Sequence, residues 1–193
     1  MNKIMYKKFY IATIVLAFFY TFIFSRVLFP TAPENYRICY IDNKVDTYGS
    51  KEMYEYTIGD EIDLKFMVNN KCQLSRGWSF VENDGVWSDG KESQICLYLH
   101  NNIDKETNFK FKVQYLAPDI SGKVEINTNS KDKQFLVLSN KKEYNFKIKK
   151  NTLNKGYNFI SFNWPKTYVP GNVNGENNDG RELCVKLVSF EIK

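Results

Sequence analysis

One uncharged apolar run near the N-terminus is the strongest constraint on how this chain folds. Residues 9–24 carry no charge, and two threonines are their only polar members. Continued past Arg26 to Phe29, the run has about 20 residues, the length that a helix needs to cross the hydrocarbon core of a bilayer. The Arg26 side chain is long enough to reach the interface. The run therefore predicts a transmembrane helix.

The charges that flank this run predict its orientation. Lys3, Lys7 and Lys8 precede it, and the positive-inside rule places that end in the cytoplasm. Residues 1–30 are predicted to be a cytoplasmic tip and a transmembrane signal-anchor helix in a bacterial inner membrane. A cleaved signal peptide is the alternative, although the exit sequence FSRVLFPTAPEN offers no A-x-A site. Under both interpretations the rest of the chain is extracytoplasmic.

The formal charge of +5 does not indicate nucleic-acid binding. Four of the 27 basic residues and none of the 22 acidic residues lie in residues 1–30. The remainder has 23 basic and 22 acidic residues, a net charge of +1. A nearly neutral domain lacks the electrostatic footprint that a polyanion requires.

Beyond residue 58 the apolar residues alternate with polar ones, which is typical of half-buried β-strands. Turn-forming residues such as Ser121-Gly122 and Pro170-Gly171 separate the runs. The alternation predicts an all-β chain: an antiparallel β-sandwich or jelly roll over residues 55–193, preceded by one N-terminal transmembrane helix. Residues 31–54 are predicted to be a stalk. The runs are 62–68, 95–99, 109–115, 124–126, 135–138, 144–148, 159–164 and 183–192.

The four cysteines leave two interpretations open. They are Cys39, Cys72, Cys96 and Cys184, and none forms a C-x-x-C pair. An oxidising compartment allows one or two disulfides among them. Buried free thiols are the alternative, because Cys96 and Cys184 lie in apolar runs.

A glycine- and tryptophan-rich stretch at residues 77–90 carries a family resemblance. It reads G-W-S-x-x-E-x-x-G-x-W-S-x-G. This pattern resembles a β-sandwich accessory domain found in bacterial membrane glycosyltransferases and phosphoglycerol transferases. The C-terminal region is similar to the same family, with Pro170-Gly171, then the sequence NDGREL at 178–183, then a last strand over 185–192. The resemblance covers roughly residues 55–193.

The resemblance implies a sandwich fold and a cell-envelope glycan context. It does not imply transferase activity, because no transferase catalytic domain and no polytopic membrane region accompany the motif. The chain also departs from the pattern at Cys184, where the family usually has glycine. The domain is therefore expected to stand alone on its anchor.

Five residues of the two motifs are the candidate ligand-binding residues. Trp78 and Trp87 offer indole faces on which a sugar ring can stack, or they plug one end of the core. Glu82 and Arg181 form a structural pair that joins the two motif loops, or Arg181 and Asp179 bind sugar hydroxyls. The structural interpretation is favoured for all of them.

Metal binding and catalysis receive little support from the sequence. Asp84, Asp89, Asn177, Asn178 and Asp179 supply oxygen atoms, but their spacing does not fit a calcium-binding loop, so no metal and no cofactor are expected. His100 is the only histidine, and no nucleophile motif accompanies it. The chain is not expected to be an enzyme.

The functional expectation is a membrane-anchored, non-catalytic domain that interacts with envelope carbohydrate or with glycan-assembly machinery. Two alternatives stay open. One is a protein partner of a separately encoded membrane glycosyltransferase. The other is a surface adhesin subunit, which predicts an exposed edge strand available for pairing. Neither the sugar nor the oligomeric state follows from the sequence.

Overall fold

The chain begins with one long apolar helix. In the computed structural model, which describes residues 3–29, 32–66, 73–117, 121–171 and 179–193, helix α1 spans Lys3–Leu28. Its 26 residues extend about 39 Å at 1.5 Å per residue. From Tyr6 to Leu28 the helix is long and apolar enough to cross a membrane, and these residues are exposed. The helix therefore has the properties that the N-terminal run predicts.

Two antiparallel sheets form the rest of the fold. Their strands are β1 (Glu61–Asp63), β2 (Leu74–Arg76), β3 (Trp78–Glu82), β4 (Gly85–Asp89), β5 (Glu92–Leu99), β6 (Thr107–Tyr115), β7 (Ser121–Thr128), β8 (Asp132–Ser139), β9 (Glu143–Ile148), β10 (Gly156–Asn163) and β11 (Leu183–Ile192). The first sheet contains six strands in the order β3-β4-β11-β6-β9, with β1 also paired to β11. The second contains five strands in the order β2-β5-β10-β7-β8. The predicted β-sandwich is thus confirmed.

Inward-facing aromatic residues fill the space between the sheets. Successive strand side chains point to opposite faces, so alternate apolar residues of each strand meet in one core. Phe109 of β6 stacks on Phe146 of β9, with ring centroids 5.0 Å apart, and on Phe190 of β11 at 5.8 Å. Trp164 stacks on Phe162 at 5.3 Å, and its Nε1 donates a hydrogen bond to Ser93 Oγ. A buried tryptophan N–H is thereby satisfied.

Strand β11 is buried along its whole length, on both faces. It lies inside the six-stranded sheet, where it pairs with β4, β6 and β1. Its outward-facing residues include Lys186 and Ser189, which neighbouring strands cover: Ser189 donates to Glu61 Oε1 at 2.7 Å. In β11, therefore, the alternation of apolar and polar residues does not separate a buried face from an exposed one, because both faces are covered.

Of the stalk predicted over residues 31–54, residues 34–54 instead pack on the outer face of the five-stranded sheet. Three short helical turns, Glu34–Tyr36, Arg37–Ile41 and Lys51–Tyr54, shape this segment. Its buried side chains Ile38, Cys39, Val45 and Tyr54 form a second apolar cluster with Cys96, and Met53, Tyr98, Tyr157 and Phe159 pack against it. The correction has a simple cause. The outward side chains at this end of the sheet are apolar, and covering them removes them from water.

The described cysteines are free, buried thiols: Cys39, Cys96 and Cys184. Burial raises the pKa of the Cys96 thiol, and it raises the pKa of Cys184 to about 12. The Cys96 and Cys184 thiols are therefore protonated and unreactive at neutral pH. Cys72 lies outside the described residues.

Candidate functional site

The motif at 77–90 forms a β-hairpin, β3–β4, at an edge of the six-stranded sheet. Gly77 has φ +65°, and a Cβ there would lie 1.9 Å from the Glu92 carbonyl oxygen. Gly85 has φ +142°, and a Cβ there would lie 2.5 Å from the Leu187 carbonyl oxygen. Two of the motif glycines therefore allow the hairpin to approach neighbouring backbone where no side chain fits.

The two motif tryptophans have different surroundings. Trp78 packs against the core, and its Nε1 donates to the Gln94 carbonyl oxygen at 2.8 Å. Trp87 is half-buried on the outer face, where Lys186 Nζ lies 4.8 Å from a ring centroid. This cation–π contact occupies one indole face.

Arg181 joins the C-terminal region to the hairpin. Its Nε donates to both carboxylate oxygens of Asp179 at 3.0 Å, and its Nη1 donates to Ser79 Oγ. Its guanidinium also lies 5.0 Å from the Phe80 ring centroid and 3.7 Å from a Glu82 oxygen. Hydrogen bonds from the Arg181 side chain lower the pKa of Asp179. The arrangement fixes the segment that leads into β11.

A second cation, Lys186, ties the hairpin to β11. Its Nζ lies 2.8 Å from Glu82 Oε2 and 2.6 Å from Asp84 Oδ1. Burial by itself lowers the pKa of Lys186, but the hydrogen bonds to Asp84 and Glu82 outweigh that effect and raise it. In turn, the hydrogen bond from Lys186 lowers the pKa of Asp84.

The structure thus brings four of the five candidate residues into one charged cluster: Glu82, Trp87, Asp179 and Arg181. Trp78 lies apart from it, toward the core. Two of the carboxylates named as possible metal ligands, Asp84 and Asp179, bind cationic side chains instead. Asn177 and Asn178 lie outside the described residues. His100 pairs with Glu55, with Nε2 3.2 Å from Oε1.

A different surface offers room for a ligand: a groove of about 550 Å³ on the outer face of the five-stranded sheet. Strands β5, β10 and β7 form its floor, because they are neighbours in that sheet. Their outward side chains at matching positions are polar. Ser161 of β10 pairs with Gln94 on one side and with Asn127 on the other. Asn163 pairs in the same way with Glu92 and Glu125.

The groove amides differ in how much hydrogen-bonding capacity they have left. Gln94 donates from Nε2 to Ser161 Oγ at 3.0 Å and accepts from Ser75 Oγ at 3.2 Å. Asn129 is fully engaged, since it donates to Asn158 and accepts from the Phe159 N–H. Asn127 Oδ1 is buried and has no hydrogen-bond partner among the described residues. A buried amide oxygen without a protein partner is one that a water or a ligand hydroxyl satisfies.

Aromatic side chains and balanced charges border the polar floor. Phe159 lies in the groove, with Lys44 Nζ 5.3 Å from its ring centroid. Phe135 of the edge strand β8 is 61% exposed and pairs with Glu125. The charged residues that line the groove are two lysines and two glutamates: Lys44, Lys131, Glu92 and Glu125. Such a groove suits an uncharged polar ligand with some apolar surface.

Sequence reasoning missed this groove. Its three central residues, Gln94, Ser161 and Asn127, are far apart in the chain and meet only because β10 pairs with both β5 and β7. The sequence does contain one signal for it, the polar residues that alternate with apolar ones in these strands. They are Gln94 within SQICLYL, Ser161 within FISFN, and Asn127 within VEINT. The local pattern shows that these side chains face outward, but it does not show that they are neighbours.

By fold, the chain is an antiparallel β-sandwich joined to one helix long enough to span a membrane. No protein-family model and no curated protein matches it. One similar solved structure is a carbohydrate-binding module, CBM36, in complex with calcium and xylotriose. It has 11% identity and a TM-score of 0.39, and the match covers 69% of this chain and 99% of that one.

Two further solved structures are similar to the same extent. Xyl-CBM35 in complex with a glucuronic acid-containing disaccharide has 9% identity and a TM-score of 0.34, over 60% of this chain and 72% of that one. The GH115 glucuronidase BtGH115A has 7% identity and a TM-score of 0.42, over 72% of this chain and 18% of that one. Because every one of these TM-scores is below 0.5, the proposal below depends on this chain's own residues.

Proposed function

We propose that the protein is a membrane-anchored, non-catalytic domain that binds carbohydrate of the bacterial cell envelope in the groove of the five-stranded sheet. The N-terminal lysines lie in the cytoplasm, α1 spans the inner membrane, and the sandwich faces the envelope. The orientation follows from the lysines that precede the apolar run.

The observation that carries this proposal is the row formed by Gln94, Ser161 and Asn127. Amide and hydroxyl groups can both donate and accept hydrogen bonds, as sugar hydroxyls do. A row of such groups on a rigid sheet matches a ligand that presents hydroxyls at regular spacing. Asn127 supports the proposal most directly, since its buried Oδ1 has no hydrogen-bond partner in the described part of the chain. Phe135 adds an exposed ring against which the C–H face of a pyranose can pack.

The anchor contributes by confinement. A single span keeps the groove close to the membrane surface, where envelope polysaccharides and lipid-linked sugars are made or attached. Confinement raises the effective concentration of the groove against such a ligand, so modest affinity at one site is sufficient.

A glycan array probed with the detergent-solubilised full-length protein tests the proposal. Binding to at least one neutral glycan is expected. Asn127→Ala should then weaken that binding roughly tenfold, because one hydrogen bond to a buried group is worth about 1.4 kcal/mol. Gln94→Ala should weaken it by a similar factor.

Matched controls come from the opposite face of the sandwich. Asn145→Ala and Gln114→Ala remove the same side-chain types from exposed positions of the six-stranded sheet. They should leave glycan binding and the melting temperature unchanged. Equal loss in the control and groove variants would contradict a site in the groove, and an array without any bound glycan would contradict carbohydrate binding altogether.

A second candidate function is a protein-interaction module, and the edge strand β8 favours it. Phe135 and Val137 are 61% and 58% exposed on this strand, which pairs with β7 on one side and with no described strand on the other. Exposed apolar edge strands are sites where another chain adds a strand. Under this reading the partner is a separately encoded membrane glycosyltransferase or another adhesin subunit. Co-purification of a polytopic partner together with an empty glycan array would favour it.

A further inference from the structure

Three exposed tyrosines form a cluster on the segment that follows α1. Tyr36, Tyr40 and Tyr48, called the tyrosine patch below, are 44%, 57% and 48% exposed. The ring centroid of Tyr40 lies 4.9 Å from that of Tyr36 and 5.5 Å from that of Tyr48. Ile41, next to Tyr40 in the chain, is also exposed. A cluster of exposed aromatic and aliphatic side chains commonly marks a surface that binds a partner or a membrane.

The packing of the segment on the sheet does not account for the tyrosine patch. Ile38 and Cys39, which share a helical turn with Tyr40, are the buried residues of that turn and pack in the cluster with Cys96. Tyr48 accepts a hydrogen bond from Asn35 Nδ2 at 3.2 Å, which leaves its ring exposed. The sheet is therefore covered by other residues of the segment, and the three rings lie on the outer surface.

The chain itself limits how far the tyrosine patch can lie from the end of the apolar run. Tyr36 is seven residues beyond Phe29. Seven fully extended residues span at most about 25 Å. The headgroup region adds roughly 5 to 8 Å to each side of the hydrocarbon core. Tyrosine is enriched in that region, because its ring is apolar and its hydroxyl group is polar.

We infer that the tyrosine patch docks into the headgroup region of the membrane that α1 spans. This inference rests on the membrane span of the proposed function, and it does not depend on carbohydrate binding. The aromatic rings supply the attraction. Residues 34–48 carry two basic and three acidic residues, a net charge of −1, so attraction to anionic lipids does not contribute.

Docking of the tyrosine patch also positions the groove. Lys44 lines the groove and is four residues from both Tyr40 and Tyr48. The border of the groove at Lys44 is therefore held close to the lipid headgroups. A groove held there meets glycans that are attached to a lipid or lie against the membrane surface.

Fluorescence quenching in vesicles tests the docking. The full-length protein, in a Cys72→Ser background, carries the fluorophore NBD on Ile41→Cys and is reconstituted into phosphatidylcholine vesicles. Both leaflets contain a lipid with a nitroxide on its headgroup. The matched site is Lys141→Cys, an exposed position after β8, the strand at the sheet edge opposite to β2. The nitroxide should quench the probe at Ile41→Cys roughly threefold more strongly than the probe at Lys141→Cys, because a docked patch lies in the headgroup region.

A pair of double variants isolates the contribution of the rings. Tyr40→Ser/Tyr48→Ser and Tyr40→Phe/Tyr48→Phe both remove the hydroxyl group that accepts the hydrogen bond from Asn35. Only the serine pair also removes the rings, and it should reduce quenching at Ile41→Cys about twofold or more, because interfacial binding scales with buried apolar area. The phenylalanine pair should retain the quenching. Quenching that appears only after phosphatidylglycerol is added would assign the contact to charge and contradict docking by the rings.

The other outcomes distinguish docking from the anchor. Equal quenching at Ile41→Cys and Lys141→Cys, in protein that stays in the vesicles through alkaline carbonate extraction, would overturn the docking and retain the membrane span. Release by carbonate would overturn the span itself. An Ile41→Cys probe that is shielded from water but not quenched by the nitroxide, with shielding that grows with protein density, would mean that a second copy of the chain covers the tyrosine patch, and this result would also overturn the docking. Glycan binding on the array is independent of all three results.

Discussion

At the residue scale, the contact between Arg181 and Asp179 has a defined dependence on pH. Hydrogen bonds from Arg181 hold the pKa of Asp179 below its ordinary value of 3.8. A carboxylate with a lowered pKa stabilises the folded state above the ordinary value, and this contribution is lost as the pH falls below it. Asp179→Asn should therefore lower the melting temperature at pH 7, and the difference from wild type should shrink below about pH 3.8.

Thermal melts followed by tryptophan fluorescence between pH 7 and pH 3 measure this difference. Asp104→Asn, which neutralises an exposed carboxylate in another loop, serves as the control and should melt like wild type at pH 7. If Asp179→Asn melted like wild type at pH 7 but bound glycan more weakly, Asp179 would be a ligand-binding residue instead. That result would favour the sugar-contact interpretation of the charged cluster.

Only some of the contacts made by the motif at 77–90 could be predicted from the sequence. A link between its hairpin and the C-terminal region was predicted as a Glu82–Arg181 pair, and Arg181 does lie near Glu82, at 3.7 Å. The closer partners, Asp179 and Ser79, were not predicted as a set. Lys186 was also missed, because it occupies an outward position of a strand whose outer face is covered.

At the element scale, residues 34–54 shield the thiols of Cys39 and Cys96 from solvent. Local unfolding of this segment should expose both thiols. Cys39 and Cys96 pack in the cluster of residues 38–54, whereas Cys184 lies in the main core. In a Cys72→Ser background, a maleimide should label none of the three in the native protein. Val45→Asp places a charge in the smaller cluster and should expose Cys39 and Cys96 while Cys184 stays protected.

Mass spectrometry of the maleimide adducts identifies the labelled cysteine in each case. A Val45→Thr variant, similar in volume, is the milder control and should label more slowly than Val45→Asp. Rapid labelling of Cys39 in the protein without a Val45 change would show that residues 34–54 do not stay on the sheet.

The strands could be predicted from the sequence, whereas the packing of residues 34–54 could not. Phe109, Phe111 and Val113 alternate with polar residues, so β6 was visible from its period of two, and most of the sandwich followed in the same way. The buried residues of the segment, Ile38 and Val45 among them, follow neither a strand period nor a helix period. Their burial depends on where the sheet places Cys96 and Tyr98, and that information is not local.

At the scale of the whole molecule, the proposed arrangement predicts which parts of the chain face each side of the membrane. In a Cys72→Ser background, Lys131→Cys adds a thiol to the exposed turn between β7 and β8. A membrane-impermeant maleimide should label it in intact spheroplasts of an expressing bacterium. Lys3→Cys, before the apolar run, should be labelled only after the membrane is permeabilised, because lysine-rich flanks stay in the cytoplasm.

The native thiols at Cys39, Cys96 and Cys184 are buried and provide the unlabelled background. The reverse pattern would place the groove in the cytoplasm, away from every envelope glycan, while a protein lacking the Lys3→Cys peptide would identify α1 as a cleaved signal rather than an anchor.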